Sequence, residues 1–216
     1  MTTARGWRLA FTSHVAIVGG RQPAMSKYVY AFALLTGTIP ALLAHPGHGE
    51  AGFIAGVLHP FSGLDHLLAM LAVGILAVRC GGASLWQVPV SFMACMLVGG
   101  WAAYAGLPLP GAEWAIACSV LVFALLIALA ARPDARLAAL VVGAFALFHG
   151  HAHVAEMAQD QSLGAFCGGF LLSTALLHAT GILVGILMTK TAPIGVLRLS
   201  GVAIACAGLP LLLHLG

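Results

Sequence analysis

From about residue 60 onward the chain repeats one unit, an apolar stretch of about 20 residues closed by a short group of turn formers. An α-helix rising 1.5 Å per residue crosses a hydrocarbon core of about 30 Å in that length. In lipid, backbone groups have to be satisfied within the segment or within a closed barrel, so runs of this length are helical. The stretches lie near 60–78, 86–106, 112–131, 137–156, 164–188 and 194–214, and "RCGGAS", "LPLPG", "ARPDAR", "AQDQS" and "KTAP" separate them. The expectation is an all-α polytopic membrane protein with six transmembrane helices. Apolar residues make up 61% of the chain and charged residues 7%, with a mean hydropathy of +1.04. A soluble domain carries about 25% charge, so a globule with a polar shell is excluded and the lipid bilayer is the expected partner. A net charge of +3 is too small and scattered for a nucleic-acid footprint. The five cysteines form no C-x-x-C pair and imply no disulfide framework.

The N-terminal part reads as a leader. Met25-Ser26-Lys27 followed by "YVYAFALLTGTIPALLA" has a basic start, an apolar middle and a cleavage point after Ala44. Residues 1–44 are therefore expected to be an upstream extension and signal peptide, with Met25 as the start, and 45–216 the membrane domain. Cleavage there exposes His45, followed by His48 and Glu50, which read as an exposed linker more than as a metal-capture site. The Lys and Arg residues after position 44 are Arg79, Arg132, Arg136, Lys190 and Arg198, and all fall in alternate loops or beside them. By the positive-inside rule both termini of the cleaved chain are periplasmic, in a bacterial inner membrane. "GAFCG" (Gly164, Gly168) and "GILVG" (Gly181, Gly185) have the spacing of close helix–helix approach.

Against this apolar background "HPFSGLDHLLAM" and "FHGHAHVAEM" stand out. Pro60 suits the first turn of a helix, so His59 is expected at its start, with Asp65 and His66 about 9 to 10 Å further along the axis. His149, His153 and Glu156 share a helical face, while His151 points elsewhere. Glu113 opens the third span at the same membrane level. An ionised Asp at mid-helix costs about 2.5–3.5 kcal/mol on insertion scales, so such groups have partners or line a wet cavity. With no Lys or Arg at that level, imidazolium or a bound cation has to supply the positive charge, and a cation site is the more economical reading. Imidazole with carboxylate suits Ni, Co, Zn or Fe(II). His178, His214 and His14 read as satisfied core residues or interhelical hydrogen bonds, with a relay role for His178 as the alternative.

These two motifs, in a six-helix chain with a leader, resemble the HupE/UreJ family of nickel permeases over essentially all of residues 45–216. The resemblance implies transport of Ni2+, or a related ion such as Co2+ or Zn2+, for hydrogenase or urease maturation. The ion is then substrate, and no tightly bound cofactor is expected. It also implies metal handling by His59, Asp65, His66, Glu113, His153 and Glu156, and a transport role for Phe92. Val154 departs from the family pattern, which has glycine after "HAH". No Walker-type phosphate loop occurs, so facilitated diffusion driven by membrane potential is expected, and the protein is read as a transporter and not an enzyme. The competing reading is an intramembrane zinc hydrolase, built from three histidines and a spare carboxylate.

Overall fold

The computed structural model describes residues 49–157 and 161–215 of the chain. The expected leader, the cleavage point after Ala44, and His45 and His48 lie outside them. The described residues form seven α-helices: α1 Gly49–Leu58, α2 Leu64–Cys80, α3 Ser84–Tyr104, α4 Ala112–Ala128, α5 Ala135–Ala155, α6 Leu163–Thr191 and α7 Ile194–Leu213. Asp134 caps α5 by accepting the backbone N–H groups of Arg136 and Leu137 at 2.9 and 3.0 Å. Gly81 and Gly111 take φ values of +75° and +77° at the ends of α2 and α4, a region in which a side chain would be strained.

The last five helices agree with the expected stretches to within about three residues at each end. The first does not. His59–Phe61 forms a 3-10 turn that follows a separate helix, and the long helix begins only at Leu64. Pro60 sits in that turn, as its fixed φ allows, but Gly63 is extended (φ −111°, ψ 125°) and breaks the helix before Asp65. The segments Gly52–Phe61 and Leu64–Cys80 diverge by 79°. Four helices (α3, α5, α6 and α7) are long and apolar enough to cross a membrane, or five if the bent pair counts as one, and α4 is a shorter apolar helix of 17 residues.

Packing rests on reciprocal glycine contacts. A Cβ on Gly99 would strike the Leu147 carbonyl, and one on Gly150 the Met96 carbonyl, so α3 and α5 meet backbone to backbone. The same exchange joins α2 to α6 (Gly74 on His178, Gly181 on Leu71) and α1 to α6 (Gly56 on Phe166, Gly169 on Phe53). The expected Gly181–Gly185 stripe is thus an interface. Gly164 has nothing near it, and the close approach expected there is made by Gly169 instead. Serine hydroxyls add cross-links, Ser91 donating to the Ala139 carbonyl at 2.7 Å and Ser173 to that of Val57 at 2.6 Å. The core between α2, α3, α4 and α5 is filled by Met70, Leu76, Phe92, Phe123, Ile127 and Val142, all fully buried. Large apolar side chains also cover the outside, among them Trp101, Tyr104, Leu140, Leu183 and Leu199. Such a surface suits lipid and not water.

Polarity is segregated along the helices. At one end Arg79 donates to the Ala130 carbonyl and Arg198 to that of Ala128. Arg79 and Arg132 line one cavity there with Thr189 and Leu197. Arg136 opens α5 and Lys190 closes α6 at this same end. The histidine motifs lie at the other end.

Candidate metal centre

The bend before α2 decides the geometry of the site. On a straight helix His59 and His66 would be separated along the axis. Here the turn folds His59 back, and both rings reach His153 of α5, at centroid distances of 4.7 Å for His59 and 3.9 Å for His66. His149, one turn earlier on α5, lies 4.8 Å from His66. Phe166 and Phe170 of α6 close the side of the site, with Phe170 4.1 Å from His153 and Phe166 5.4 Å from His59.

Among the described residues two groups bring three ligand atoms within 4.8 Å of one another. The inner group is His66, His149 and His153, all buried. The outer group is His59, His153 and Glu156, and it opens to the surface through Glu156, the C-cap of α5. His59 Nε2 lies 3.5 Å from Glu156 Oε2. His153 belongs to both groups.

Neighbouring atoms fix the tautomers of two inner rings. His66 Nδ1 lies 2.7 Å from Asp65 Oδ1, and the His66 backbone N–H donates to that same oxygen at 2.8 Å. A carboxylate only accepts, so Nδ1 carries the proton and Nε2 keeps its lone pair. The Ser119 hydroxyl donates its single proton to the Ile116 carbonyl at 2.7 Å and is 2.9 Å from His149 Nε2. Its oxygen therefore accepts from Nε2–H, and the lone pair of His149 is on Nδ1. The atoms so freed, His66 Nε2 and His149 Nδ1, are buried without a hydrogen-bond partner among the described residues, as are both nitrogens of His153. A buried, unpaired polar atom costs about 1–3 kcal/mol. Three imidazoles with free lone pairs, each offering a ligand atom within 4.8 Å of the others, are a donor set for a borderline divalent transition metal, with Asp65 and Ser119 orienting two of the rings.

The structure thus brings together His59, His66, His149, His153 and Glu156. Asp65 touches the site through His66 and is in neither group of ligand atoms. Glu113 stands exposed in the first turn of α4 and is in neither group. Phe92 is fully buried behind His149, at 5.4 Å. His151 turns aside to the Leu107 carbonyl at 2.9 Å. The hydrogen bond expected of His178 is not found among the described residues, where both its ring nitrogens are buried and unpartnered.

Several contributors escaped the sequence reading. Ser119 looks like any small residue of an apolar helix, and Phe166 and Phe170 like any core aromatics. Gly63 did carry a signal, a glycine inside "SGLDH". A Cβ there would come within 2.6 Å of Asp65 Oδ1 and 3.1 Å of His66 Nδ1, disturbing the pair that orients His66.

A family model described as HupE / UreJ protein matches residues 33–211 of the chain. Protein HupE of Rhizobium leguminosarum bv. viciae is 41% identical over 187 residues, covering 84% of this chain and 98% of that protein. No solved structure matches.

Proposed function

Because the chain belongs to the HupE/UreJ family, we propose that it carries nickel, or a related divalent ion such as cobalt, across a bacterial inner membrane by facilitated diffusion. The ion would supply hydrogenase or urease maturation. The observation that carries this reading is the convergence of His66, His149 and His153, three buried rings with unpartnered nitrogens within 4.8 Å of one another.

The two groups suggest an order of events. Glu156 and His59 at the exposed mouth attract and capture the hydrated ion, with His153 as third ligand. His66 and His149 then replace His59 and Glu156 while His153 stays bound, so the ion is never wholly without protein ligands as it loses water. Neutral nitrogen donors hold such an ion less tightly than a set of thiolates would, which suits release. A potential of about −100 mV inside contributes roughly 4.6 kcal/mol to a doubly charged ion, at about 2.3 kcal/mol per charge. That drives accumulation on the order of a thousandfold without ATP. The zinc-hydrolase alternative is less well supported, since Asp65 is engaged by His66 and Glu156 lies outside the inner triad, leaving no spare carboxylate there to act as base.

In this proposal six spans, α2 to α7, cross the bilayer. The 17 residues of α4 are at the short end of spanning length, and α1 lies across the mouth against α6. Both chain ends are placed on the periplasmic side, with the histidine motifs.

The test is uptake of Ni2+, Co2+ and Zn2+ into proteoliposomes with the potential clamped by potassium and valinomycin. Wild type is expected to accumulate Ni2+, and His153→Ala, which removes a ligand from both groups, to abolish uptake. Protons compete with the ion for imidazole lone pairs, so apparent affinity is expected to fall on acidification, and burial of His59 disfavours its charged form and moves the onset below the range of an ordinary imidazole, about 6.5. Normal uptake by His153→Ala, or an affinity that rises on acidification, would overturn the assignment.

A further inference from the structure

We infer that His178 is a second, inner binding station for the same ion, and that the Phe92 ring is the barrier between it and the outer cluster. The inference rests on the transport reading above and extends it to the middle of the membrane.

His178 lies near the middle of α6, eight residues or about 12 Å beyond Phe170, which packs on His153. It is fully buried, and neither ring nitrogen has a hydrogen-bond partner among the described residues. An imidazole in that position is costly unless it serves as a ligand, because leucine of similar size would fill the space without stranding two polar atoms. Its location is tightly fixed, since Gly74 of α2 packs directly on the His178 carbonyl. Phe92, itself fully buried, is the ring that connects it to the site. Phe92 lies 5.4 Å from His149 on one side and 5.1 Å from His178 on the other, meeting His178 edge to face at 88°. His149, Phe92 and His178 therefore form a chain of neighbouring rings that leads from the inner triad into the interior of the bundle. Two nitrogen-bearing rings separated by one aromatic ring make a two-station path. The ion leaves three ligands, passes the edge of Phe92 as that ring turns aside, and meets one imidazole in the interior. A station with a single protein imidazole binds weakly, which keeps the ion from being trapped there.

The experiment uses the full chain in proteoliposomes at clamped potential, with 63Ni2+ flux and equilibrium 63Ni2+ binding measured on the same preparations. His178→Leu is expected to reduce flux at least tenfold, leave nickel affinity within about twofold of wild type, and keep or raise the melting temperature. His178→Gln retains polarity and bulk but replaces imidazole with a poor ligand, and the same separation of flux from binding is expected. Flux within twofold of wild type in either variant would overturn the inference while leaving the transport reading intact. So would a loss of binding equal to the loss of flux, which would make His178 part of the outer site, or a lowered melting temperature in both variants, which would make it a packing residue. Absence of nickel flux in the wild type would remove the transport reading, and this inference with it.

Discussion

Asp65 and Ser119 each take one N–H from an imidazole and so direct the opposite nitrogen of that ring inward. This separates two kinds of carboxylate that look alike in the sequence. Glu156 belongs to the outer group of candidate ligands, whereas Asp65 spends Oδ1 on His66. Asp65→Asn is therefore expected to lower nickel affinity by about 10- to 100-fold, the usual effect of losing a group that orients a ligand, and not to abolish binding as His153→Ala does. Equilibrium binding with 63Ni2+ distinguishes the two; complete loss in Asp65→Asn would make Asp65 a ligand. The histidines and acids of the site were legible because ionisable groups are rare and expensive in apolar helices. Their division of labour was not, since it depends on which oxygen faces which nitrogen across a bend. Ser119 was hidden for the opposite reason, a hydroxyl being cheap to place in a helix.

At the scale of elements, the helices after α2 were readable because length and turn residues mark them twice over. The α1–α2 bend was not. Gly49–Leu58 is too short to span a membrane, and helices of that length owe their stability to packing, here against α6 through Gly56 and Gly169. A pattern read along the chain does not contain that contact. The end of α4 carries a separate lesson. Ala130 has φ 51°, the left-handed region that a side chain disfavours, and its carbonyl receives the Arg79 guanidinium. Ala130→Gly relieves that conformation and is expected to stabilise the protein by up to about 1 kcal/mol, seen as a higher melting temperature in detergent with transport unchanged. A lower melting temperature would show that the Ala130 methyl packs usefully.

For the whole molecule, orientation can be tested apart from any metal. Reporter tags at the C-terminus are expected to score as periplasmic and tags at 133–135 as cytoplasmic, and a cytoplasmic C-terminus would overturn the six-span arrangement. The segregation of Arg79, Arg132, Arg136, Lys190 and Arg198 to one end, away from the histidines, has a consequence beyond insertion. A cation approaching from the basic side meets a repulsive field, while one approaching from the side of Glu156 is drawn in. Such a field cannot move the equilibrium set by the membrane potential, but it makes recapture of a departing ion slow. On the proposed transport reading the protein would then behave as a kinetic rectifier, inward current saturating at far lower ion concentration than outward current of equal driving force.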